Sequence, residues 1–143
     1  MNAVKWVVRL TWILLLSLES QAEHKPLLPR PQQIRYGAGQ LPLQNLSIRF
    51  VSAPSAEDRF AANELSVALS NRSGAPIPVW EGIAPSRTIA LQRTGAVDPL
   101  PVPGDRPGPD SREAYIIKVT PEGAEIRARS SAGVFYGAQT LMQ

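Results

Sequence analysis

The side chains able to do chemistry in this chain are mostly carboxylates, and the first pair to weigh is Glu57 and Asp58. Two acids can hydrolyse a glycosidic bond when one is held protonated and the other ionised. Neighbours on a helix point about 100° apart, however, and these two stand at the start of a helical pattern, where the macrodipole favours acids whatever the function. Capping is the stronger reading. Glu113 stands before a predicted strand with no assignable acidic partner, as a solvated strand end would. Cysteine is absent, which excludes thiolate nucleophiles and Cys-based metal centres. His24 is the single histidine, there is no H-E-x-x-H, and its place near the start of the mature chain makes it a solvated terminus rather than a ligand. G-x-S-x-G, S-x-x-K and phosphate-binding glycine loops are also missing, so no catalytic residue, metal ligand or cofactor site is assigned.

Sugar binding calls for aromatic rings that can stack on a pyranose, and Trp80 is the candidate sugar-stacking residue. It closes the apolar run IPVW, where burial in a core is the commoner fate of such a ring. Asn45-Leu46-Ser47 and Asn71-Arg72-Ser73 fit the N-glycosylation acceptor pattern, which matters only in a eukaryotic secretory pathway.

The leading residues are a separate object. MNAVKWVVR carries Lys5 and Arg9, LTWILLLSL is an apolar run of nine, and Ser20-Gln21-Ala22 supplies small residues at a signal-peptidase spacing. The run is too short to cross roughly 30 Å of hydrocarbon, and Glu19 follows it directly. The expectation is a signal peptide over residues 1–22, export to the periplasm or beyond the cell, and no stable membrane span after cleavage. The remaining 121 residues suit one domain and hold 13 basic and 11 acidic side chains, a net charge of +2. The basic residues are scattered, with no cluster of interleaved aromatics, and no nucleic-acid partner is expected.

These residues must be positioned by elements that are legible in outline. EHKPLLPRP should run extended, and Gln32 to Tyr36 reads as a short strand ended by Gly37 and Gly39. From Asn45 to Val51, Leu46, Ile48 and Phe50 alternate with polar residues, as in a half-exposed strand. SAPSAEDRFAANELSVALSNRSG predicts a helix: Ser55 caps it, Ala61, Leu65 and Ala68 with Phe60 and Leu69 form one apolar stripe, and Gly74 and Pro76 end it. Ile77 to Trp80 and Arg87 to Gln92 are short strands. Gly95 to Arg112, with five prolines and three glycines in 18 residues, reads as a disordered insertion. EAYIIKVTPEGAEIRARS is a hairpin turning at Pro121 and Gly123, followed by an amphipathic helix over SSAGVFYGAQTLMQ with no Gly, Pro or basic last turn to stop it. Runs of strands with two helices predict an α+β fold, a mostly antiparallel β-sheet with both helices packed on one face.

The hairpin and last helix together carry a resemblance. Glu113-Ala114-Tyr115, the P-x-G turn, the alternating strand, Ala132-Gly133-Val134-Phe135-Tyr136-Gly137 and Gln139-Thr140-Leu141 closely resemble the end of the non-catalytic N-terminal domain of β-N-acetylhexosaminidases, glycoside hydrolase family 20. PLLPRPQQI, the helix ending in SG and RTIALQ follow in the family's order, so that the resemblance spans residues 26–143 and is strongest over the last 31. It implies an α+β domain that packs on a catalytic (β/α)₈ barrel, expected downstream, which reaches the glycan substrate. There the substrate's own 2-acetamido oxygen attacks the anomeric carbon, aided by an adjacent Asp and Glu. This sequence contains no Asp-Glu dipeptide, so no catalytic residue carries over, and the chain reads as an exported accessory domain or fragment that is inactive alone. Phe135, Tyr136, Leu141 and Met142 are the candidate barrel-docking residues, and Gly133 and Gly137, four apart, let their helix sit close to a sheet. A stand-alone carbohydrate- or protein-binding module using Trp80, or the leading domain of another glycosidase type, are the alternatives.

Overall fold

Alternation decides the sheet. In a computed structural model describing residues 26–28, 30–84, 87–95, 106, 108 and 111–143, five strands form: β1 (Leu46–Phe50), β2 (Val79–Trp80), β3 (Arg87–Arg93), β4 (Tyr115–Thr120) and β5 (Gly123–Ala128). The proposed signal peptide, His24 and much of the Pro-rich stretch lie outside the described residues. Because strand side chains alternate between faces, Ile48, Ile89 and Ala124 stand in one row across three strands, and Phe50, Leu91 and Ile126 in the next. All six are buried. The intervening Arg49, Ala90, Gln92, Glu125 and Arg127 occupy the opposite face, where Arg127 donates to Gln92 and Glu125.

Two helices cover the apolar face: α1 (Ala56–Ser73) contributes Ala61, Ala62, Leu65 and Leu69 to the core, and α2 (Ser131–Leu141) contributes Val134 and Ala138. Burying each of the larger aliphatic side chains is worth about 1.5–3 kcal/mol. The α+β class with both helices on one face therefore stands, but the sheet is mixed and mostly parallel rather than mostly antiparallel. Its order is β2-β1-β3-β5-β4, with β1 parallel to both β2 and β3, β3 parallel to β5, and only β4–β5 antiparallel. The reason lies in the connections. The α1 crossover carries the chain back to the end at which β1 began, so β2 must run the same way, and β2 and β3, consecutive in sequence, lie on opposite sides of β1.

The expected strand over Gln32–Tyr36 is exposed irregular chain. Phe60 also departs from expectation. About 100° per residue places it opposite Ala61, Ala62 and Leu65, and it is 57 % exposed.

Close approach governs α2. A Cβ on Gly133 would stand 2.6 Å from the Ala114 carbonyl oxygen and 2.9 Å from Ala128 Cβ, and one on Gly137 would stand 2.5 Å from Ile126 Cγ2. The two glycines thus let the helix lie directly against β5 and the entry to β4. Gly74 ends α1 for a different reason: its φ of 71° is left-handed, and its N–H donates to the Ser70 carbonyl. Gly133→Ala should accordingly cost about 1–3 kcal/mol by overpacking against main chain that cannot yield. Gly74→Ala, which meets open space, should cost about 1 kcal/mol through backbone strain alone. Urea unfolding of the two variants checks the order.

Candidate functional site

Asp58 sits where the N-termini of α1 and α2 and the end of β3 meet. Ser55 and Asp58 form a reciprocal capping box: the Asp58 N–H donates to Ser55 Oγ at 3.1 Å and the Ser55 N–H donates to Asp58 Oδ2 at 3.0 Å. Arg93 extends the apolar row of Ile89 and Leu91, and its Nε donates to the same Oδ2 at 3.0 Å. Its other guanidinium nitrogens donate to the Gly95 and Ala53 carbonyls. Ser55 Oγ lies 3.2 Å from Ser131 Oγ in the first turn of α2. The carboxylate is 3 % exposed and its partner 11 %.

Burial pushes the Asp58 carboxyl pKa up, but the Ser55 N–H, Arg93 and the Ser131 hydroxyl outweigh that and hold it below the ordinary value. Glu57 is also lowered, chiefly by its own backbone N–H and by the Ser55 side chain. The Arg59 guanidinium, 2.6 Å away, lowers Glu81. A general acid needs a carboxyl held protonated near neutral pH, and each of these displaced carboxyls moves the opposite way. Glu57 and Asp58 are a helix cap and its neighbour. Glu113 is exposed in the turn before β4, its N–H bonded to Ser111 Oγ. Among the described residues, no group of three His, Cys, Asp or Glu could hold a metal ion.

The apolar candidates separate. Phe135 stacks on Phe60, ring centroids 6.1 Å apart and planes 25° apart, and meets Tyr136 edge-on at 5.8 Å. Phe60 is exposed at the helix surface, whereas Phe135 is half-buried and packs against the core and Tyr136 is half-buried. Leu141 and Met142 are half-buried and pack against the core, and Leu141 also lines a groove beside β4. Phe60 is the member that the sequence pattern misassigned, because its neighbours Ala61 and Ala62 are core residues and a moderately apolar helix offers more than one plausible stripe. Trp80 is 42 % exposed, so it is not a core residue. Its register partner in β1 is Arg49, which puts both side chains on the helix-free face.

Among the described residues the arrangement offers a buried structural ion pair and exposed aromatic side chains. A family model described as glycosyl hydrolase family 20, domain 2, matches residues 24–143. The chain belongs to that family. A search of curated proteins finds no match. In this family 20 domain the tightly fitted α2, with Gly133 and Gly137 against the sheet and Phe135 and Tyr136 half-buried, is built from the very segment on which the resemblance is strongest. Family 20 domain 2 normally accompanies a catalytic domain.

Asp58→Asn keeps the shape of the cap but leaves Arg93 without its counter-charge, and should destabilise the chain by about 3–5 kcal/mol at neutral pH. Because the folded carboxyl is held below its unfolded value of about 3.8, its contribution is present above that pH and lost as pH falls through the folded value. The stability gap between wild type and Asp58→Asn should therefore narrow below about pH 4, measured by denaturant unfolding at each pH.

Proposed function

We propose that this chain is the exported accessory domain of a β-N-acetylhexosaminidase, an enzyme that removes terminal N-acetylhexosamine from glycans, and that it is inactive alone. Its role is to dock on a catalytic (β/α)₈ barrel through the outer surface of the helix layer. The observation that carries this reading is the Phe60–Phe135–Tyr136 cluster. Phe60 is 57 % exposed although it stacks on Phe135, and Phe135 and Tyr136 are only half-buried, so this half-covered cluster points to a partner surface that completes its burial. Export is supported by the basic, apolar and small-residue order of residues 1–22, for which the product recovered outside the cytoplasm should begin at Glu23.

The test mixes the chain with a separately expressed barrel of a family 20 hexosaminidase. Association is expected, and replacing Phe60 and Tyr136 together by Ser should weaken it tenfold or more, about 1.4 kcal/mol or above, as for interface hot spots. The chain alone should release no nitrophenol from 4-nitrophenyl N-acetyl-β-glucosaminide. Turnover by the chain alone, or a double variant that associates as well as wild type, would sink the proposal.

A second reading has one specific observation in its favour: Trp80 is exposed beside Arg49 on a polar sheet face, where a ring can stack on a sugar. If the domain binds glycan itself, calorimetry with chitin oligosaccharides should give saturable binding that Trp80→Ala abolishes. Absence of heat at millimolar ligand removes this alternative.

A further inference from the structure

We propose that the segment leading into the fold is a strap that closes on β4 and caps the edge of the sheet. β4 is an edge: β5 pairs with one side of it and no described strand pairs with the other. Its six residues offer about 20 Å of main chain at ~3.3 Å each, and Lys118 is the one charged side chain among them. Ile116 is 67 % and Val119 48 % exposed. An edge that is neither short nor heavily charged recruits another strand unless part of its own chain covers it.

The strap is tethered within reach of that edge. At one end the Leu28 main chain exchanges hydrogen bonds with the Gln143 side-chain amide, and at the other Gly39, with a left-handed φ of 101°, abuts Pro121 in the β4–β5 turn. Between these anchors the chain bends at Gln32–Gln33 and at Ala38–Gly39, and runs without a bend from Ile34 to Gly37. That run and β4 line one groove of about 1670 Å³.

The main chain of the strap is available for pairing. Among the described residues, Ile34, Arg35 and Gly37 make no main-chain hydrogen bond, and Ile34 is 47 % exposed. Closure exchanges water on these N–H and C=O groups for the unpaired side of β4, and covers apolar surface of Ile34, Ile116 and Val119 in the same movement. Direction follows from the second anchor. Gly39 lies just past the end of β4, so the residues before it would run beside β4 in the same sense, extending the parallel pairing already made by β1, β3 and β5. A segment held at both ends presents itself at a high effective concentration, which lets it outcompete a strand from a second copy. Neither Phe60 nor Tyr136 lines this groove, and the strap stands or falls independently of barrel docking.

The experiment uses the full chain, which has no cysteine of its own, so that an introduced pair reports closure directly. Ile34→Cys is combined in turn with Ile116→Cys, Ile117→Cys and Lys118→Cys, and a disulfide can form only where the two Cα atoms come within about 7 Å. Mild oxidation of the dilute protein should join at least one pair within a single chain. Hydrogen exchange supplies the second readout: Ile34→Pro removes a donor at an exposed position outside the core, and should speed exchange across residues 115–120 about tenfold while β1 and β3 keep their protection. Failure of every pair to join, or exchange across 115–120 that Ile34→Pro leaves unchanged, overturns the proposal. Crosslinking between two chains in preference to within one also overturns it, by assigning the edge to a second copy.

Discussion

Two parallel helices on one side of a sheet bring like ends of their dipoles together, and the fold depends on neutralising both ends. The parallel arrangement follows from the contacts: the N-termini meet at Ser55 and Ser131, and at the other end Arg72 donates to the Met142 carbonyl. Unsatisfied N–H groups make each N-terminus positive and unsatisfied carbonyls make each C-terminus negative. A buried carboxylate at the first junction and a guanidinium at the second answer those charges. In a partly buried setting such a placement contributes up to about 2 kcal/mol. Arg93 then prevents Asp58 from being a lone buried charge, and ties the end of β3 into the same node.

The same constraint explains the absence of a stop signal at the end of α2. Its final turn has no basic residue and Met142 remains in right-handed helical geometry. Arg72 supplies the missing cation from the neighbouring helix, while the Gln143 side chain reaches both Gln139 and Leu28. With the ends secured, the space between layers is set by small residues. Ala61 and Ala62 on α1 and Gly133, Gly137 and Ala138 on α2 let the helices settle onto Ile48, Ile89 and Ile126, with Phe60 left exposed and Phe135 half-buried beside it.

Function follows from where polar and apolar groups end up. The adjacent carboxylates weighed as a candidate pair are held by structure, Asp58 in a cap and ion pair and Glu57 in the helix field, and Glu81 bridges to Arg59. Among the described residues, Phe60 on α1, Trp80 on the helix-free face and Ile116 and Val119 on the edge strand β4 are left exposed. The family 20 domain 2 to which the chain belongs normally accompanies a catalytic domain.

Local pattern was enough for the elements that obey a short-range rule. The alternation in LSIRF, the Ser55 cap with Gly74 beyond the helix, and the P-x-G turn each specify their geometry within a few residues, because backbone sterics and nearest-neighbour hydrogen bonds decide them. The close seat of α2 was legible too, since two glycines four apart have few other uses in a helix of that kind. Strand direction was not, because parallel or antiparallel pairing depends on which strands become neighbours across crossovers, and adjacency in sequence does not determine that. Nor could the sequence tell that Arg93, at the end of an apolar row, would meet Asp58 thirty-five residues away, or that Phe60 would face outward to Phe135. Those pairings exist only once the helices have been laid on the sheet, since each is a contact between elements and each element alone is compatible with several partners.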